Sequence, residues 1–168
     1  IIKSVLKRKK KLIFFYHFFS CIIFLRTIKY IIHMKWLILT NNEELGKNCI
    51  DFLSTSNKKD KVISSSLSLE ALKSNKKQLN NIAACIIYAN NEKEITASLG
   101  AGLSTVFGFF ASEEIPVLTN IKLLYEDLLF GKDIGIGCNT ADDIFNTLKK
   151  KYNKLADEAS MRLAKKHL

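Results

Sequence analysis

The side chains best equipped for chemistry in this chain are amides, hydroxyls and one acid that follow short apolar runs. Thr40, Asn41, Asn42 and Glu43 come after KWLIL, and Ser64 to Ser66 close a weaker run that starts at Lys61. Ala89, Asn90 and Asn91 follow IAACIIY, while Thr119 and Asn120 end IPVLTN. Amides and hydroxyls donate and accept hydrogen bonds, which suits the polar edge of a sugar or nucleotide. They are also the ordinary chemistry of turns. His17, His33 and His167 are the only histidines, and all stand outside residues 35–166. No imidazole-based acid–base or nucleophilic relay can be assembled inside that segment.

The remaining candidates narrow quickly. Cys21, Cys49, Cys85 and Cys138 are widely separated, with neither a C-x-x-C nor a histidine pair beside them. That spacing argues against a metal site and for reduced thiols, with Cys85 a small core residue inside its apolar run. The acid pairs Glu92/Glu94 and Asp142/Asp143 fall where first helical turns are expected, a position in which the helix dipole favours solvated carboxylates. Gly100-Ala101-Gly102 lies well past its strand, so it does not match the G-x-G-x-x-G that opens a helix directly after one. Small residues for helix–sheet packing are the better reading. No catalytic residue, metal or cofactor is expected.

The elements that would position these groups alternate between strand and helix. Lys35–Thr40 reads as a buried strand, and residues 43–54 as a helix with Leu45, Cys49, Phe52 and Leu53 on one face. Lys61–Ser65 is a weak second strand. Ser68 is set to cap a helix through Gln78, with Leu69, Leu72 and Leu79 as its apolar contacts. Ile82–Tyr88 is apolar on both faces, as a central parallel strand must be. A helix over 91–112 follows, its glycines offset by close backbone approach to a strand or ligand. A strand over 115–120 comes next, with Pro116 near its start, then a short helix over 123–130. Ile134, Ile136 and Cys138 form a short strand, and Asn139 or Thr140 caps a last helix that runs, with a break, to His167. This alternation predicts a three-layer α/β sandwich, flavodoxin- or Rossmann-like, with a parallel sheet of four or five strands. Ligands of such folds bind at the carboxyl ends of the strands.

Charge divides the chain at Met34. Residues 1–33 hold eight basic groups and no acid, leaving 18 basic against 16 acidic groups in residues 34–168. The basic excess therefore belongs to the opening segment, and nucleic acid is not expected as the principal partner of the rest. After Lys7–Lys11 comes the apolar run Leu12–Leu25, shorter than the roughly 20 residues a bilayer span needs. Three readings stay open for it: translated upstream sequence, a membrane anchor, or a secretory signal. The first sets the natural start at Met34 and a single domain over 34–168. The second makes a membrane-anchored α/β domain.

Five segments carry a resemblance: KWLILTNNEELGK (Lys35–Lys47), SLGAGLSTVFGFFAS (Ser98–Ser112), IPVLTN, TADDIFNTL (Thr140–Leu148) and ASMRLAKKHL (Ala159–Leu168). Together they resemble the N-terminal α/β domain that precedes ankyrin repeats in a group of spirochaete proteins. The resemblance implies a cytoplasmic, non-catalytic accessory domain whose protein partner is held by repeats beyond Leu168. The T-P-L-H-x-A pattern of such a repeat does not occur here. Residues 1–33 have no counterpart in the resemblance, which supports a start at Met34. A more distant similarity, from Gly100–Gly108 and Ile115–Leu118, is to the nucleoside deoxyribosyltransferase and TIR-like folds. Those imply a catalytic glutamate on the helix after the third strand, and this chain has no acid between Ala97 and Ser112. What survives of that similarity is a nucleotide- or nucleoside-like ligand as the alternative to a protein partner. Its candidate contacts are Thr40, Asn41, Asn42, Glu43, Ser64, Asn90, Asn91, Thr119 and Asn120.

Overall fold

A strand with no charged residue must be covered on both faces, and Ile82–Tyr88 (β3) is such a strand, buried continuously from Ile82 to Ile87. In the computed structural model, which describes residues 33–68, 70–71, 82–123 and 134–166, β3 lies at the centre of a five-stranded sheet. Before it come β1 (Lys35–Thr40), α1 (Glu43–Ser56) and β2 (Lys61–Ser65). After it come α2 (Glu92–Ser98), a 3-10 turn (Gly100–Gly102), α3 (Leu103–Ser112), β4 (Val117–Thr119), β5 (Gly135–Gly137) and α4 (Ala141–Lys166). The strand order is β2-β1-β3-β4-β5, with every neighbouring pair parallel. This is the flavodoxin-like doubly wound order, and the expected α/β sandwich is what the chain forms.

Alternation along the strands feeds two cores. Leu37, Leu39, Cys85 and Ile87 meet Leu99 and Phe110 on one side of the sheet. Trp36, Ile38, Ala84 and Ile86 meet Cys49 and Leu53 of α1 and Ile144, Leu148 and Leu155 of α4 on the other. The β1–β3 pairing slips once, since Lys35 faces Ile82 whereas Trp36 faces Ala84. The skipped Ala83 joins Ala84 in the α1–α4 core, and these short side chains leave room for α4. From α4, Arg162 Nη2 donates to the carbonyls of Ile82 (2.7 Å) and Ala83 (3.2 Å), the two residues at the irregular point. Trp36 stacks on Tyr152 of α4 at 5.3 Å and donates from Nε1 to Asp60 at 3.1 Å.

Two sequence expectations need correction. The helix foreseen over 91–112 is interrupted: α2 ends at Ser98, and Gly100, with φ +45°, opens the 3-10 turn that precedes α3. A glycine in the left-handed region redirects the chain instead of continuing the helix. A Cβ at Gly100 or Gly108 would meet no atom within 4 Å, so close approach to a strand does not account for either. The last helix, foreseen with a break, runs uninterrupted from Ala141 to Lys166. It contains no Gly or Pro, and Ile144, Leu148, Leu155, Ala159 and Leu163 stay in helical register on its buried side.

Other expectations fall partly outside the described residues. Ser68 does accept from the Ala71 backbone N–H at 3.1 Å, as a cap should, but Leu69, Leu72 and Leu79 lie outside. The helix over 123–130 lies outside beyond Leu123. Residues 1–32, with their membrane and signal readings, lie wholly outside; among the described residues no helix is long and apolar enough to cross a membrane.

Candidate functional site

Parallel pairing places the carboxyl ends of all five strands on one edge. The chain leaves β1 toward the face covered by α1 and leaves β3 toward the face covered by α2 and α3. The crevice between those departures is where doubly wound sheets bind ligands. Here it is spanned by the protein's own side chains. Asn42 Nδ2 donates to Asn90 Oδ1 at 3.3 Å. The Glu94 carboxylate accepts from Asn41 Nδ2 through one oxygen and from the Asn90 backbone N–H through the other.

Each of these groups has a further duty. Asn41 Oδ1 accepts from the Leu67 backbone N–H at 3.1 Å, which ties the end of β1 to the segment after β2. Asn42 caps α1 by accepting from Leu45 N–H at 2.9 Å, and Asn91 caps α2 by accepting from Glu94 N–H at 3.0 Å. Glu94, three residues past that cap, reaches back toward the helix start in the manner of a capping box. Thr40 Oγ1 accepts from Asn42 N–H at 3.0 Å.

On the β3–β4 side the closure is tighter. Asn120 accepts from Ala89 N–H at 3.1 Å and donates to Ala89 C=O at 2.7 Å, mimicking one more rung of the sheet. Thr119 is fully buried, and its Oγ1 accepts from Ile121 N–H at 3.0 Å. Of the nine predicted residues, Thr119 is the one that no ligand can reach in this fold.

The open space lies on the other side of β1. A cleft of about 610 Å³ runs between α1 and the end of β2, within the span of roughly 300–1,000 Å³ typical of small-molecule sites. Glu43, Lys47 and Asp51 stand at successive turns of α1 along one wall, with Gly46 and Ile50 between them. Ser64, Ser65 and Ser66 make the opposite wall, and Thr40, Asn41 and Asn42 its end. Gly46 belongs to the α1 wall, and an added Cβ there would make only an ordinary 3.7 Å contact with Thr40 Cγ2.

Reactive chemistry is not evident. Burial pushes the Cys49 thiol up to about 12 and the Cys85 thiol well above its usual range, so both are neutral and shielded. Burial also raises Cys138, with the Asp143 carboxylate adding to the effect, while a hydrogen bond with Thr147 and the charge of Lys151 oppose it. Among the described residues no group of His, Cys, Asp or Glu is placed to hold a metal ion. What the cleft offers is hydrogen bonding: hydroxyls on one wall, two carboxylates and an ammonium on the other.

Neither a protein-family model, nor a curated protein, nor a solved structure matches this chain.

The predicted residues thus separate into two groups. Thr40, Asn41, Asn42, Glu43 and Ser64 line the cleft; Asn90, Asn91, Thr119 and Asn120 brace the turns after β3 and β4. Lys47 and Asp51 were not foreseen. Their signal was present as Glu43, Lys47 and Asp51 at i, i+4 and i+8, a polar stripe beside the apolar face of α1. Glu94 was also missed as a tie, because its partners are 53 residues away for Asn41 and four for Asn90.

Proposed function

We propose that this domain is a non-catalytic binding module whose ligand is a small hydrophilic molecule held between α1 and the end of β2. One observation carries the reading. Around the cleft the amides of Asn41 and Asn42 are committed to internal bonds, whereas among the described residues no side-chain bond occupies Glu43, Lys47, Asp51, Ser64, Ser65 or Ser66. Polar groups gathered around a cavity and left unspent by the fold are what a binding site requires. A ligand present at 100 times its dissociation constant should add about 2.7 kcal/mol of stability. A thermal-shift screen against small polar metabolites reads this directly, and a panel without any shift rejects the proposal. Turnover of nucleosides or NAD, abolished by Glu43→Gln or Asp51→Asn, would reject its non-catalytic part.

A second reading takes the domain as the interaction head of an ankyrin-repeat protein, with the protein partner bound by following repeats. The observation in its favour is Met161, 43% exposed near the end of α4, where the first repeat of such a protein would pack. Met161→Lys should then weaken docking of the repeats in the longer chain. Unchanged unfolding cooperativity of that chain would reject the reading.

A further inference from the structure

We infer that the cleft between α1 and β2 selects a neutral, hydroxyl-rich molecule, a monosaccharide or sugar alcohol, and discriminates against phosphorylated and other anionic ligands. This rests on the reading of the cleft as a ligand site and goes beyond it by fixing the ligand's charge class.

The start of α1 is the natural seat for an anion in such a fold, because its free N–H groups and the helix dipole both attract negative charge. Here that seat is taken. The Asn42 side chain occupies the Leu45 N–H at 2.9 Å. Glu43 and Glu44 already complement the dipole in the first turn. Among the described residues Lys47 is the one cation lining the cleft, and it has a carboxylate one helical turn away in each direction, Glu43 and Asp51. An entering phosphate therefore meets, among the described residues, two carboxylates for one ammonium.

Hydroxyl groups fit the same surroundings without penalty. Each serine hydroxyl donates one hydrogen bond and accepts others, and each carboxylate offers two acceptor oxygens. Ser64, Ser65 and Ser66 can therefore exchange bonds with one edge of a polyol while Glu43 and Asp51 accept from the other. Gly46 and Ile50 between the acids give its carbon face an apolar surface to lie on.

The test is titration of the ¹⁵N-labelled chain, followed by amide shifts, with four probe sets: glucose, ribose and sorbitol; glucose 6-phosphate and ribose 5-phosphate; putrescine; and no additive. Supporting behaviour is saturable shifts of the amides at 46–51 and 64–66 with at least one neutral probe, with its phosphate ester binding at least tenfold more weakly. Ser65→Ala and Asp51→Asn should each weaken the neutral probe fivefold or more without altering the rest of the spectrum, and Gly46→Leu should abolish binding. Tighter binding of the phosphate esters or of putrescine in the same amides would overturn the charge class while leaving the cleft as a binding site. No saturable shift with any probe would overturn both.

Discussion

The two halves of the carboxyl edge use similar residues to opposite ends. After β3 and β4, Asn90, Asn91, Thr119 and Asn120 are spent on the fold, down to Asn120 replacing a strand in its bonds to Ala89. After β1 and β2, the serines, Glu43 and Asp51 line open space and hold nothing. Thr40, Asn41 and Asn42 after β1 are bonded internally as well, so it is the serines and the α1 acids that make the difference. Both strand pairs are parallel neighbours, so what separates the halves is the side chain after the strand: Asn120 reaches both backbone groups of Ala89, whereas Ser64, Ser65 and Ser66 border the cleft.

Alkali should have the largest effect, and it acts through the α1–α4 core beneath the sheet. Cys49 and Tyr152 are both pushed up to about 12 by burial, Tyr152 with help from the Asp60 carboxylate. A group whose acidity is weakened by folding contributes stability that is complete below its unfolded value, here 9.0 for the thiol and 10.0 for the phenol. That contribution is lost as pH climbs toward the folded value. Denaturant midpoints should therefore hold level up to about pH 8.5 and fall steeply by about pH 11. A level profile to pH 11 would mean the thiol and phenol are not shielded as described.

Among substitutions, Asn120→Ala should be the most damaging. Ala89 is 1% exposed, so both its N–H and its C=O would lose their partner away from water. At about 1–3 kcal/mol for each orphaned group, a loss of roughly 2–6 kcal/mol is expected in urea unfolding. Glu94→Ala comes next, at about 1 kcal/mol, since the tie it makes is more exposed, and Glu94→Gln should recover part of that. Hydrogen exchange at Asn90 and Leu67 should quicken in the alanine variant, because the carboxylate holds Asn90 directly and Leu67 through Asn41. Smallest of all, Ser64→Ala and Asp51→Asn should change stability by no more than about 0.5 kcal/mol. If instead they cost as much as Asn120→Ala, the contrast between a spent and an unspent half would collapse.

Much of the fold is legible from the residues alone. The boundaries of β1, β2 and β3 coincide with their apolar runs, and α1 starts at Glu43 as its acids and preceding asparagine indicate. The error at 91–112 has a local cause. In SLGAGLSTVFGFFAS helical periodicity continues through Gly100, and only a positive φ at that residue, which sequence pattern does not report, breaks the helix. The lining of the cleft was half legible: turns after parallel strands named Thr40, Asn41, Asn42, Glu43 and Ser64, whereas Lys47 and Asp51 line it from a helix whose placement follows from packing of Cys49 and Leu53.

The sequence by itself determined the parallel α/β architecture, because apolar periodicity and turn chemistry are local and cumulative. It also determined the absence of a histidine relay between residues 35 and 166. The tertiary structure alone decided which polar groups are consumed and which remain available. Asn41 and Glu94 are 53 positions apart and Arg162 lies 80 from Ile82, so no local pattern encodes either bond. Each exists because packing of apolar side chains on the two faces of one sheet sets which polar groups at its rim come within bonding distance.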